Sequence, residues 1–505
     1  MKLQVALLLA GISSITASAQ VSLPKILSDH MVVQRDLPVH VWGMAAPGEL
    51  VSVTFRGETR STAATNLGRW SVYMKPGTAG GPFEMSVKGS AAQGDSTNGN
   101  TDADITVRDV LVGDVWVASG QSNMEFALKN ASTSATDLPK AGNPRIRLLL
   151  VDKKPADSPQ DDLPIKGWEQ SSPDSAKEFS AVAWYFAREI EQKEHVPVGV
   201  IDSTWGGTPA EAWTSMTALG SDPGLAPLFA VRGTMLAQAS DAALQVKDEQ
   251  RQRDEAAKAG KPAPQFPWHP DLASYGPANL WNGMIAPIVP FGIKGALWYQ
   301  GEANAGADRY PTYDRVMRTL IEDWRRQWGV GQFPFFYVQL ANWNTGEGTN
   351  WAYVRNQQLK TLGLRNTGMA VIIDIGDPND IHPKDKLDVG HRLALWARAT
   401  VYGETGMEYS GPLFRQAAPE GNSIRAWFDH AKGLNAKGGD VNSVEVAGAD
   451  GKFYQAKAAI EGETLVATSP DVPNPVSVRY AWASDPHCNL FNAEGLPASP
   501  FTSEK

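Results

Sequence analysis

A single cysteine, Cys488, stands in 505 residues. No intrachain disulfide can form, even in an oxidising compartment, so stability has to come from packing. Positive charge is also scarce: 46 Lys and Arg against 55 Asp and Glu leave a net charge of −9. That balance argues against nucleic acid or an anionic membrane surface as the main partner. Past the first 19 residues no run is apolar for the ~20 residues a membrane-spanning helix needs, so no membrane insertion is expected. Three catalytic signatures are missing too: the G-x-S-x-G elbow, the Walker P-loop and the H-E-x-x-H zinc motif. His382, Asp388 and His391 lie close in sequence, but their spacing matches no tight ligand pattern, and neither a metal nor another cofactor is expected.

The amino terminus, 1–19, reads as a signal peptide. Lys2 supplies positive charge, Val5 to Ala10 a short apolar core, and Ala17-Ser18-Ala19 a small-residue cleavage site before Gln20. The expectation is a secreted or periplasmic protein cleaved after Ala19. The rest suggests roughly three domains at ~150 residues each. Residues 20–110 read as an N-terminal β-sandwich module. Val39 and Val41, then Val51, Val53 and Phe55, then Phe83, Met85 and Val87 alternate with other residues, with turns at Ala46-Pro47-Gly48 and Gly80-Gly81-Pro82. A long polar loop is expected over Gly89–Asp104.

Between 111 and 404 the pattern changes. Apolar runs at Val115–Ala118, Val198–Ile201, Ala296–Tyr299, Phe335–Leu340 and Ala370–Ile373 read as buried strands. Helical patterns separate several of them, at Val182–Ile190, Tyr313–Trp328, Tyr353–Leu362 and Leu387–Ala399, so a mainly parallel sheet covered by helices is expected. The charged stretch Ala237–Ala257 reads as a solvated helical insertion of about 235–262. From 405 to 505 the alternation returns to β type, with Ile424, Ala426 and Phe428, Val444 and Val446, and Val476, Val478, Tyr480 and Trp482, giving a C-terminal β-rich module. Tryptophan is abundant, with 17 residues; most read as core, and some are available as platforms for sugar rings.

The strand exits carry the chemistry. Ser122 follows the run Val115–Ala118 and precedes a helix-like stretch, at the sheet edge where open α/β folds place their sites. A helix-capping role is the bland alternative. The other exits bear Trp205-Gly206-Gly207-Thr208, Gln300-Gly301-Glu302-Ala303-Asn304 and Asp377-Pro378-Asn379-Asp380-Ile381-His382. A serine hydroxyl needs an imidazole to take its proton, and the imidazole needs a carboxylate to hold its tautomer. His382 suits the base and Asp380 the orienting acid. An oxyanion needs aimed donors: the Ser122 N–H, a Gly207 or Gly206 N–H, and the Asn304 amide.

These stretches resemble the SGNH (GDSL-like) hydrolase superfamily, and within it the sialate O-acetylesterase-like carbohydrate esterases. The likeness rests on Ser119-Gly120-Gln121-Ser122-Asn123-Met124-Glu125, on Ser203 to Thr208 with Glu211 and Trp213, and on Asn282 to Pro287. It continues at Trp298 to Ala305 and Asp380 to Lys384. The N-terminal stretch Leu27 to Arg35 resembles the same family. The resemblance implies a three-layer, SGNH-type (flavodoxin-like) α/β fold around a parallel sheet with N-terminal and C-terminal β-rich modules. It makes Ser122 the nucleophile, His382 general base and then acid, Asp380 the orienting acid, and Ser122, Gly207 and Asn304 the oxyanion site. Two departures stand out. Many members carry the acid three residues before the histidine, where Asn379 stands here, so Asp377 or a backbone carbonyl is the alternative to Asp380. Ala303 replaces a frequent serine.

Gln121, Asn123, Gln300 and Glu302 are candidates for structural support or substrate contact, and Trp205 and Trp213 for core or sugar platform. The expected partner is an acetylated glycan; nothing in the sequence specifies an oligomeric state. A sialic acid carboxylate would want a cation, for which Arg309, Arg355 and Lys384 are candidates. Accessory β modules and abundant tryptophan favour neutral plant polysaccharide such as xylan or xyloglucan. The competing classes are a non-catalytic carbohydrate-binding protein and a glycosidase drawing on Glu125, Glu211, Glu302 and Asp380.

Overall fold

The computed structural model describes residues 21–90, 104–266, 269, 271–344 and 350–504. The signal peptide expected at 1–19 and most of the loop expected over Gly89–Asp104 lie outside the described residues. Six strands open the chain: β1 (Val32–Gln34), β2 (Val39–Met44), β3 (Leu50–Phe55), β4 (Glu58–Ala63), β5 (Arg69–Met74) and β6 (Gly80–Ser90). Their period of two has a physical basis. Val51, Val53 and Phe55 are buried while Ser52 and Thr54 face away from the core. β2 pairs antiparallel with β5, and β4, β3 and β6 form a second antiparallel set.

The strands that follow are β7 (Ile105–Gly120), β8 (Asn143–Leu150), β9 (Glu169–Ser171), β10 (Val198–Thr204), β11 (Gly295–Tyr299), β12 (Phe335–Val338) and β13 (Thr367–Ala370). β7 is 16 residues long, and its halves have different neighbours. As far as Val112 it pairs antiparallel with β6, and β1 lies parallel beside Leu111–Gly113. From Asp114 onward it pairs parallel with β10, and from Trp116 with β11 on its other side. Position 110/111, read as a module boundary, therefore lies inside one strand rather than in a linker. The central order is β13-β12-β11-β7-β10-β8-β9, parallel except for β9. This mixed α/β architecture with a large, mainly parallel sheet agrees with the alternation of runs and helices in the sequence.

One strand reading needs correction, and one strand, β8, has no counterpart among the expected runs. The run Ala370–Ile373 is a strand only at its first residue, because β12 offers partners to Thr367–Ala370 and no further; Val371 to Ile373 stay buried as loop. β8 carries no clean apolar pattern, since Arg147 lies within it, buried and paired with Asp109 at 2.7 Å.

The helices are α1 (Ser122–Glu125), α2 (Ser134–Asp137), α3 (Pro173–Lys177), α4 (Ala181–Glu194), α5 (Met216–Ser221), α6 (Ala226–Ala237), α7 (Ala239–Lys258), α8 (Tyr313–Trp328), α9 (Trp351–Thr361) and α10 (Lys386–Thr400). α8 buries Val316, Met317, Leu320, Ile321, Trp324 and Trp328 along one stripe. α7 is mostly exposed. Much of the tryptophan is core: Trp116, Trp184, Trp213, Trp298 and Trp324 are fully buried. Trp298 meets both Trp213 and Trp324 edge-on, with centroids 6.3 and 6.1 Å away.

From Leu413 to Thr502 the chain forms two four-stranded antiparallel sheets around a separate core that includes Ile424, Ala426, Phe428, Val444, Val446 and Val478. Arg355 of α9 ties this region to the central sheet. Fully buried, it donates to the carbonyls of Leu340 (2.8 Å) and Ala341 (2.6 Å) beyond β12, and to those of Ala483 and Ser484 (both 2.7 Å) in the C-terminal region. Replacing Arg355 by Ala strands the Leu340 and Ala483 carbonyls, while Ala341 keeps Trp351 Nε1 and Ser484 keeps the Trp343 N–H; an unpaired buried acceptor costs ~1–3 kcal/mol. Arg355→Ala is expected to lower unfolding free energy by about 3 kcal/mol or more in urea titration, and Arg355→Lys to rescue little because an ammonium cannot fork between partners. A change under about 0.5 kcal/mol, the scale of an ordinary surface substitution, would contradict this account.

Candidate active site

The exits of β7, β10 and β11 are stitched together by backbone. Gly120 adopts φ +134°, and a Cβ there would lie 2.2 Å from the Tyr299 carbonyl oxygen, so only glycine fits. Its own carbonyl accepts the Trp205 N–H at 3.1 Å, and the Gln121 N–H donates to the Tyr299 carbonyl at 3.0 Å. Gln121 Oε1 accepts the Ala303 N–H at 3.1 Å, which makes this buried side chain a brace between two exits. Ser122 is the first residue of α1, where a backbone N–H has no intrahelical acceptor.

His382 arrives from the loop between β13 and α10. Its Nε2 lies 2.8 Å from Ser122 Oγ, across 260 residues of sequence. Asp380 Oδ1 accepts the His382 backbone N–H at 2.9 Å and stands 3.7 Å from His382 Nδ1, beyond hydrogen-bond length. Asp377 is exposed, and its carboxylate accepts the Asn379 N–H at 2.9 Å, closing its own turn. The structure thus brings Asp380, not Asp377, against the imidazole.

The oxyanion candidates separate. The Gly206 N–H donates to Glu125 Oε2 at 2.5 Å, so it is spent on a carboxylate. Its missing side chain lets it back onto Ser122, whose Cβ would be 3.2 Å from a Cβ at 206. Gly207 has φ +76° and an N–H without a partner among the described residues. Asn304 is fully buried, with Oδ1 accepting the Ala210 N–H (2.9 Å) and Gln300 Nε2 (2.6 Å). A backbone N–H can only donate, which fixes the amide orientation and puts Nδ2 on Glu211 Oε2 at 2.9 Å. One Asn304 N–H is left over. Arg309 holds the other Glu211 oxygen at 3.0 Å. Gln300, also fully buried, donates to the Thr208 carbonyl and accepts from Tyr313, so it supports rather than touches substrate.

A buried polar chain runs behind Ser122. Asn123 Nδ2 donates to Glu302 Oε1 (2.6 Å) and to the Ile381 carbonyl (3.0 Å), and Asn123 Oδ1 accepts from Lys386 Nζ (2.5 Å). The residue after the serine thereby grips the peptide before the histidine. Lys386 is fully buried above the rings of Phe126 (4.8 Å) and Tyr299 (5.3 Å). Burial pushes its ammonium down to about 7 and pushes the Glu302 carboxyl up. Burial, and then the Lys386 charge, hold the His382 imidazole below its ordinary 6.5, against the pull of Asp380. Sequence reasoning misses Lys386. One signal was available: it opens α10, and a cation at the positive end of a helix is misplaced unless something else holds it.

Other candidates go elsewhere. Trp213 is core, donating to Thr208 Oγ1, whereas Trp205 is half-buried with Lys153 Nζ 5.7 Å from its ring centroid. Lys153 also pairs with Glu125. Arg355 is the buried tie described above, Arg309 belongs to Glu211, and Lys384 is exposed. Of the carboxylates a glycosidase would need, Glu211 is buried and already paired, Glu302 is buried with one oxygen on Asn123, and Glu125 is committed to Gly206 and Lys153. His391 pairs with Glu189 and Asp388 with Arg392, away from His382. Among the described residues no group of three His, Cys, Asp or Glu could hold a metal ion.

Comparison with known proteins points to carbohydrate esterases. The family model described as carbohydrate esterase, sialic acid-specific acetylesterase, matches residues 257–397. A carbohydrate acetylesterase of known structure from Xanthomonas citri is 37% identical, with a TM-score of 0.81, over 96% of this chain and 100% of that one. The sialate O-acetylesterases of Mus musculus and Homo sapiens are each 29% identical, over 95% and 94% of this chain and 93% and 91% of theirs.

Lys386 carries its charge in the range below 6.5 where His382 titrates, and that charge lowers the imidazole pKa. Removing it in Lys386→Met is expected to raise the His382 pKa, read from the imidazole resonances in an NMR pH titration. An unchanged or lowered value would refute the coupling.

Proposed function

The chain belongs to this carbohydrate esterase family of acetylesterases, and from that membership we propose that it is an exported enzyme removing O-acetyl groups from neutral plant polysaccharide through a Ser122–His382–Asp380 triad. It is an ester hydrolase acting on acetylated carbohydrate. The 2.8 Å approach of Ser122 Oγ and His382 Nε2 carries the mechanistic reading.

In this mechanism neutral His382 takes the Ser122 proton as Oγ attacks the acetyl carbonyl carbon. Negative charge develops on the carbonyl oxygen and is received by the N–H groups of Ser122 and Gly207 and by the spare N–H of Asn304, which Ala210, Gln300 and Glu211 hold rigid. The tetrahedral adduct collapses, His382 returns the proton to the departing sugar oxygen, and the acetyl group stays on Ser122. Water, activated by the same imidazole, then releases acetate. Asp380 stabilises the imidazolium, a contact that tightens from 3.7 Å as charge builds on the ring.

The neutral-glycan preference is supported by two of the cations considered for a sialic acid carboxylate being committed elsewhere, Arg355 to buried carbonyls and Arg309 to Glu211; Lys384 is exposed. Lys153 beside Trp205 favours the alternative, a sialate O-acetylesterase. Acetate release from acetylated xylan, xyloglucan and sialosides, compared under identical conditions, decides between them. Higher kcat/KM on sialosides would overturn the preference. Export predicts a secreted product beginning at Gln20, read by N-terminal sequencing.

Ser122→Ala is expected to cut acetate release by ~10³-fold or more with the fold intact; a glycosidase or a binding protein would keep its function. Asp380→Ala is expected to lose ~10²-fold or more and Asp377→Ala little; the reverse order would reassign the acid. Protonated His382 cannot act as base, and its pKa lies below 6.5. The kcat/KM profile should therefore hold from neutral to mildly alkaline pH and fall only below 6.5. A rate that rises as pH drops below 5 would contradict this.

A further inference from the structure

Three aromatic rings form a patch outside the site just described but on the same edge of the sheet. α8 follows β11 and α9 follows β12, so both helices start where parallel strands end, the edge that carries Ser122. Tyr310 stands in the turn before α8, directly after Arg309, which reaches Asn304 through Glu211. Tyr353 is the third residue of α9. Its helix neighbours Ala352 and Val354 are buried, yet Tyr353 is 46% exposed. Its ring lies 5.1 Å from that of Tyr310, tilted by 36°. Trp482, half-buried, comes from the C-terminal β region and meets Tyr353 at 5.1 Å, nearly perpendicular.

Isolated exposed aromatics are ordinary; here exposed Tyr353 is flanked by half-buried Tyr310 and Trp482, so three separate segments contribute to one contiguous aromatic surface. The three rings pack on one another at contact distance, which holds Tyr353 in place with its ring partly open to solvent. Aromatic faces carry negative quadrupole density that attracts the C–H face of a sugar. The charge near the patch is balanced: Arg479, 5.9 Å from the Trp482 ring centroid, is paired with Glu445 at 2.8 Å. The patch is thus apolar and near-neutral.

We propose that Tyr310, Tyr353 and Trp482 form a glycan subsite that seats backbone sugars of a neutral polysaccharide flanking the acetylated unit. This rests on the reading that the substrate is an acetylated glycan. The subsite gives the C-terminal region a part in substrate choice: polymeric esters gain from Trp482, and small esters do not reach it.

The test uses the full chain with Tyr353→Ala, Trp482→Ala and the double variant, assayed on acetylated xylan and on p-nitrophenyl acetate. The expected result is a fall in kcat/KM on acetylated xylan of about fivefold or more per ring, seen mainly in KM, with p-nitrophenyl acetate within about twofold. Tyr353→Phe and Trp482→Phe should restore most of the loss. Equal loss on both substrates, or no loss on xylan, overturns the subsite. A wild type that hydrolyses p-nitrophenyl acetate but no acetylated glycan defeats the proposed function instead. Selective loss on acetylated sialosides alone overturns the neutral chain as occupant.

Discussion

The whole arrangement depends on one strand that serves two sheets. β7 enters as an antiparallel neighbour of β6 and leaves as the middle of a parallel sheet, with Gly113 at the changeover and Gly120 at its exit. Both positions are too tight for a side chain: a Cβ at 113 would lie 2.1 Å from the Pro197 carbonyl oxygen, and one at 120 is equally excluded. Continuous pairing along β7 leaves no flexible joint between the N-terminal strands and the central sheet. Opening or closing of the site has to come from the loops at its rim, not from rotation of one body against another.

Much of the site is visible in the sequence because it lies at strand exits, and strand exits are readable. Ser122, Gly207, Asn304 and His382 each follow a short apolar run or its turn, and an open sheet puts such points on one edge. What is not readable depends on contacts between distant residues. Asn123 looks like an ordinary polar neighbour until it is seen gripping the Ile381 carbonyl. The choice between Gly206 and Gly207 turns on a carboxylate 81 residues earlier. β8 hides because Arg147, matched to Asp109, breaks the apolar pattern from which strands are recognised. Tryptophan is a neutral sign by itself: Trp213 is core, while Trp482 lies at the surface in a region whose place beside the site no periodicity reveals.

The electrostatics of the site come from burial as much as from any pair. Lys386 and Glu302 sit at opposite ends of one Asn123 side chain, the first losing its proton more readily and the second holding it longer than in water. Glu302 Oε2 is buried without a hydrogen-bond partner among the described residues, a costly feature for a carboxylate oxygen. The same chain holds the helix of Ser122 against the loop of His382, so local charge and local geometry are set by the same three residues.

Arg355 has a consequence for how such a protein can be taken apart. Two of its four acceptors belong to the loop after β12 and two to the C-terminal β region. A fragment cut at the end of α10 would leave a buried guanidinium facing water on the side where Ala483 and Ser484 had been. The two parts are therefore poor candidates for independent shuffling in evolution or for recombination into chimeras.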